Sequence, residues 1–243
     1  MVKDTQTTDR HAPEKGIETT RSSKTERTRP SKRATAAMQE GTDWNTGRPA
    51  ELATLDKIRT EQGSAIDLNS PQDGGHRKYP IYDVVGPQGV YSVKHFGQGD
   101  GDTLSDQTLG QYRSAIWEAM GAGTDPHKFD KAAEGLQTMA KEGRDVPAKL
   151  AADPQGYLRE YSFVAVPSGH EKQIKDDLSL RLNPQGELTD LQRITRDVTA
   201  EQFGLGSPDA PDYQHKINHL FSRIVPLDKT SGELKAEFEA RKL

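Results

Sequence analysis

The sequence predicts an α/β fold in which a small mixed sheet is flanked by helices, and three observations carry that prediction. Residues 77–97, RKYPIYDVVGPQGVYSVKHFG, place two β-prone runs on either side of Gly86-Pro87-Gln88-Gly89 and read as a hairpin. Residues 161–167, YSFVAVP, form an apolar run that Pro167 ends, as a central strand requires. Around these runs, apolar residues recur at helical spacing in several segments, so strands and helices share one chain.

Composition limits how much of the chain folds. Only 32% of its 243 residues are hydrophobic, which predicts that a sizeable part is tail or exposed loop. The expected division is a disordered polar leader over 1–42, an α/β domain over 43–206 and a helical extension over 207–243. The first 40 residues hold nine Lys and Arg against six acids, a composition that predicts a solvated leader and suits recruitment or export. The absence of cysteine excludes a disulfide scaffold, a cysteine-ligated metal and a cysteine nucleophile. A formal net charge of −4 excludes a global attraction to nucleic acid and leaves room for local basic patches. No apolar stretch reaches the length of a signal peptide or membrane span. The expectation is therefore a soluble protein without a membrane partner, cytoplasmic or delivered to a target cell by a route the sequence does not display.

In chain order, Trp44 is expected to mark where order begins. Residues 49–63 predict a helix with Pro49 in its first turn, Leu52, Leu55 and Ile58 on one face and Gly63 at its end. Residues 64–75 predict a loop. Within the hairpin, Tyr79, Ile81, Val84 and Val85 belong to the first strand and residues 90–96 to the second. Residues 86–89 read as a four-residue turn, Asp83 lies near the end of the first strand and Lys94 near the middle of the second. The Gly- and Asp-rich residues 98–102 predict a flexible loop without EF-hand spacing. Residues 104–120 form the strongest helical pattern, through Leu109, Tyr112, Ile116 and Met120, and end at Gly121. Residues 127–141 predict a second helix anchored by Phe129, Leu136 and Met139, followed by a short turn over 146–150 and a loop over 153–156. After the strand at 161–167, helices are expected over 171–182, through Leu191, Ile194, Val198 and Phe203, over 213–224, and as a loosely held segment over 232–243.

A helix, a strand carrying Asp, a turn, a strand carrying an acid-x-Lys pair, a helix and a further strand is the layout of the PD-(D/E)XK, or restriction-endonuclease-like, nuclease superfamily, which this chain resembles with Asp83 and Lys94 at the Asp and Lys positions. The resemblance covers roughly residues 49–121, with 161–167 as the later strand. It implies a restriction-endonuclease-like core, hydrolysis of DNA phosphodiester bonds and Mg²⁺ or Mn²⁺ as cofactor, in a bacterial toxin, phage or defence protein. Asp83 takes the place of the metal-binding aspartate and Lys94 that of the lysine that orients water or neutralises the transition state. The Val93 carbonyl is implied as a further metal ligand. Gln107 and Tyr112 resemble the Gln and Tyr that several branches carry on the next helix. The chain departs from the pattern at Ser92, where the family carries an acid; a serine is a poor ligand for so hard an ion. The acid is then expected from Glu61, or less well from Glu51, with Asp100 and Asp102 as loop alternatives.

Arg77, Lys78, Lys94 and His95, with Tyr79 and Tyr91 nearby, make a modest basic group suited to a phosphate backbone. His215 and His219 are four apart on a predicted helix but lack the Glu of HExxH, so a zinc site is not expected. Ser168-Gly169-His170 lacks the GxSxG context and reads as a helix cap. His76 reads as a solvent-facing flank of the hairpin. A rival reading of another class is a non-enzymatic adaptor or structural protein that binds a protein partner through its leader or C-terminal helices. Ser92 in place of an acid favours that rival.

Overall fold

The computed structural model describes residues 32–73, 75, 78–96, 103–123 and 125–240, with side chains from residue 47 onward except at residue 238. The leader up to residue 31, His76, Arg77, Asp100 and Asp102 lie outside the described residues, as does the Trp44 side chain. In order come α1 (Lys32–Gln62), β1 (Ile66–Asp67), a 3-10 turn (Pro71–Asp73), β2 (Val84–Gly86), β3 (Gly89–Val93), α2 (Asp106–Ala119) and α3 (Pro126–Lys141). They are followed by α4 (Lys149–Ala152), α5 (Pro154–Tyr161), β4 (Ser162–Val166), α6 (His170–Leu182), α7 (Asp190–Gln202), α8 (Tyr213–Ser222), β5 (Ile224–Pro226) and α9 (Ser231–Ala240).

The five strands form one mixed sheet in the order β1-β2-β3-β4-β5. β1, β2 and β3 pair antiparallel, whereas β3 with β4 and β4 with β5 pair parallel. Parallel neighbours need long crossovers. Helices α2 to α5 supply the first and α6 to α8 the second. Strand alternation splits the core in two. Val84, Tyr91, Val93 and Ala165 pack with Leu55 and Ile58 of α1 and Leu234 of α9. Val85, Val90, Val164 and Val166 pack with residues of the remaining helices, such as Ile116 of α2 and Ile174 of α6. Among the described residues no helix is long and apolar enough to cross a membrane.

Several elements differ from the sequence prediction for identifiable reasons. Helix α1 does not begin at Pro49 but contains it. Proline lacks an N–H, so it interrupts one bond of the helical ladder. From Pro49 onward the helix buries Pro49, Ala50, Thr54, Leu55 and Ile58.

The hairpin loop is two residues, not four, because Gly86 pairs with Gly89 and only Pro87 and Gln88 lie outside the register. Both glycines are set by close approach. A Cβ at Gly86 would lie 2.5 Å from Ile58 Cγ2, and one at Gly89 would lie 2.4 Å from Phe163 Cε2 and 2.6 Å from the Tyr161 carbonyl oxygen. Gln62 ties the hairpin to α1: its Oε1 accepts the Gln88 N–H at 3.1 Å and its Nε2 donates to the Tyr91 hydroxyl at 2.8 Å.

The first strand is also shorter than expected. Lys78 and Ile81 have φ of 62° and 67°, so residues 79–83 cannot continue a strand. Tyr79 and Tyr82 instead send their hydroxyls to the carbonyls of Ala132 and Ala119, each at 2.7 Å. The predicted loop at 64–75 contains β1, and the predicted helix end at 224 gives way to β5. The expected loop at 153–156 opens α5. Asp153 accepts the Gly156 N–H at 2.8 Å and Pro154 fills the first turn, a cap followed by a proline. The turn predicted over 146–150 leads into α4. The final helix is anchored, with Leu234 at 0% exposure.

Candidate active site

The candidate site lies where β2 begins and β3 ends. Asp83 directly precedes β2, and Lys94 directly follows β3, each one step outside the strand expected to carry it. The Asp83 backbone is held on both sides: its N–H donates to the Tyr91 carbonyl at 2.8 Å, and its carbonyl accepts the Leu68 N–H at 2.9 Å. Its carboxylate accepts two more bonds, from the Val93 N–H at 2.7 Å and from Asn69 Nδ2 at 2.9 Å. Each oxygen of an ionised carboxylate has two lone pairs, so each keeps one for a further partner.

Asn69 is itself fixed. Its Oδ1 accepts the Tyr79 N–H at 2.9 Å, and its own N–H donates to Asp67 Oδ1 at 3.0 Å. Asp67 belongs to β1, its side chain is 4% exposed, and it accepts a bond from Arg48 of α1. The same guanidinium donates to Glu51 Oε2 at 2.7 Å. Three acids, Glu51 of α1, Asp67 of β1 and Asp83 just before β2, therefore act on one another, with Arg48 between the first two.

The electrostatics follow from this crowding. Burial raises the Asp83 pKa and outweighs Lys94, the Val93 N–H and Asn69, which lower it; Asp67 raises it further. Glu51 is raised by burial and then by the Asp83 charge, against Arg48. Burial is the first cause in both groups, with a neighbouring carboxylate adding to it, so the charged form of each acid is disfavoured where it stands. The backbone is strained beside it, with β-branched Ile81 at positive φ two residues before Asp83. Ser92 holds that turn by donating from Oγ to the Ile81 carbonyl at 2.6 Å.

The predicted site residues separate into two groups. Asp83, Lys94 and Val93 come together, and Glu51 is the acid that accompanies them. Glu61 points elsewhere: it pairs with Lys57 at 3.0 Å, is 51% exposed, and Lys57 also binds Asp228 at 2.6 Å. Tyr112 is fully buried, its hydroxyl 2.8 Å from His170 Nδ1 and accepting the Phe96 N–H at 3.4 Å. Gln107 is exposed in the first turn of α2, and Lys78 is exposed beside the strained turn. His95 Nε2 lies 2.7 Å from Ser231 Oγ, at the start of α9. The residues that sequence reasoning missed are Arg48, Asp67 and Asn69. The two-residue β1 leaves no periodic signal, whereas Asp67-x-Asn69 before Pro71 is the signal for the turn.

Among the described residues no group of three or more His, Asp and Glu side chains is arranged to hold a metal ion. Mg²⁺ requires fewer, because it takes one or two protein carboxylates and fills its octahedron with water and phosphate oxygens. Asp83 and Glu51 are two carboxylates that act on one another here. Ser92 does not contribute, since it is 0% exposed and its hydroxyl is spent on Ile81.

Comparison with known protein families, with curated proteins and with solved structures finds no match.

Proposed function

We propose that this chain is a divergent restriction-endonuclease-like nuclease that hydrolyses DNA phosphodiester bonds with Mg²⁺ or Mn²⁺. The observation that carries the reading is the junction of Asp83 and Lys94 through the Val93 N–H, within the order α1, β2, β3, α2, β4. Asp83 and Glu51 are the residues that would hold the ion, with the Val93 carbonyl beside them. A bound divalent ion supplies an acidified water and neutralises charge on the phosphate oxygens. Lys94 brings a positive charge to the same edge, where it orients the attacking water or the phosphate. Arg48, now shared by Glu51 and Asp67, keeps the two acids in place before any ligand arrives. Incubating DNA with the protein and Mg²⁺ or Mn²⁺, beside EDTA, tests the reading; cutting abolished by EDTA is expected.

One observation favours the adaptor reading instead. Leu191, Ile194 and Val198 of α7 are 73%, 60% and 59% exposed, an apolar stripe at helical spacing suited to a protein partner. A protein that cuts neither DNA nor RNA in any divalent metal would turn the reading to that surface.

A further inference from the structure

Arg223 carries an unusual combination of burial and missing partners. It directly precedes β5, and the parallel pairing of Val164 with Ile224 puts it level with Phe163, one residue beyond Ser162, which opens β4. The Arg223 residue is 4% exposed and Ser162 1%. One guanidinium nitrogen, Nη2, donates to the carbonyls of Arg159 and Glu160 and so caps the C-terminus of α5. The other two, Nε and Nη1, have no hydrogen-bond partner, and neither has the Ser162 hydroxyl.

Tyr82 closes the place from the β2 side. It is 0% exposed, donates its hydroxyl to the Ala119 carbonyl at 2.7 Å, keeps that hydroxyl oxygen within reach of the Ser162 hydroxyl, and has Arg223 as a charged neighbour. Arg223 Nη2 thus meets neutral carbonyl oxygens, and Glu160, a carboxylate that acts on the guanidinium, is exposed. A buried guanidinium without a paired charge is costly, and buried N–H groups require acceptors.

We propose that Arg223 Nε and Nη1 and the Ser162 hydroxyl bind a buried monatomic anion of halide size, chloride under ordinary conditions. The unfilled positions are dominated by donors, and a halide accepts several hydrogen bonds while bringing no hydrogens that need acceptors of their own. The near-complete burial of Arg223, Ser162 and Tyr82 favours the smallest anion that can meet the donors. Such an ion ties the starts of β4 and β5 to Tyr82, the residue before Asp83. The site is independent of the nuclease reading.

Crystals of the full chain grown in bromide, with diffraction recorded at the bromine absorption edge, test it directly. An anomalous peak within hydrogen-bonding distance of Arg223 Nε or Nη1 and Ser162 Oγ is expected; ordinary water density or no density there overturns the proposal. Thermal melting in chloride against gluconate, at fixed ionic strength and pH, gives a second reading. The wild type is expected to show a saturating upward shift in melting temperature that R223M loses. S162A, which removes one donor and keeps the charge, weakens the shift and carries the test if R223M does not fold. An equal chloride response in the wild type and the variants contradicts the assignment.

Discussion

Asp83 closes the open end of the β2–β3 ladder by accepting the Val93 backbone N–H at 2.7 Å. The side chain does what a strand carbonyl would have done had the chain not turned away at Ile81. Asn69 donates to the same carboxylate, so Asp83→Ala leaves two donors without an acceptor. The expected cost is about 1–3 kcal/mol, read as a lower denaturation midpoint. Asp83→Asn is no escape, because its amide presents hydrogens where donors already point. An unchanged midpoint in Asp83→Ala would contradict this role.

The pH dependence of stability has a definite sign. Glu51 is raised by burial and by Asp83, and Asp83 is raised by burial. A carboxyl raised on folding contributes stability fully below its unfolded pKa and loses it as pH rises through the folded value. Glu51→Gln removes one such group, so the wild type should lose stability relative to E51Q as pH rises from about 4 towards neutrality. Denaturant midpoints across that range check it, and parallel curves for the two proteins would refute it. Added Mn²⁺ should stabilise the wild type more than E51Q.

Two glycines should respond oppositely to alanine. At Gly89 the new methyl would meet Phe163 and the Tyr161 carbonyl at 2.4 and 2.6 Å, so G89A should cost about 1–3 kcal/mol. At Gly110, inside α2, the nearest atom is the movable Arg113 Nη2 at 3.5 Å, so G110A should gain about 0.5–1 kcal/mol in helix entropy. Equilibrium unfolding of the pair checks both signs.

Tyr112 should matter for stability and not for cleavage. Its hydroxyl joins His170 Nδ1 and the Phe96 N–H inside the core. Tyr112→Phe should therefore cost about 1–2 kcal/mol while leaving any cleavage rate unchanged. A rate loss in Y112F with native stability would return Tyr112 to the site.

The sequence carried long elements well and short ones poorly. The helix expected over 104–120 is Asp106–Ala119, and the strand expected over 161–167 is Ser162–Val166. In α6 the predicted Ile174, Leu178 and Leu182 are all fully buried. Those segments announce themselves because one face is apolar over several turns or a whole strand. β1 and β5 have two and three residues, too few for periodicity, and exist only because a neighbouring strand pairs with them. In α7 the helix is present, yet the periodic Leu191, Ile194 and Val198 face outward while Thr199, Ala200 and Phe203 are buried. Periodicity reveals a helix without saying which face the remaining elements cover. The candidate site was legible in part for a similar reason. Asp83 and Lys94 stand out on a hairpin, whereas Arg48, Asp67 and Asn69 act through bonds that span 10 to 19 residues of sequence.

The most direct measurement is cleavage of supercoiled and linear DNA by the wild type, Glu51→Gln, Lys94→Met and Asp83→Ala in Mg²⁺ or Mn²⁺. Melting of each variant is followed in parallel. The account predicts cutting that EDTA stops and that E51Q and K94M lose while each still melts as a folded protein. No cutting by a folded wild type in either metal, or cutting undiminished in E51Q and K94M, would contradict it.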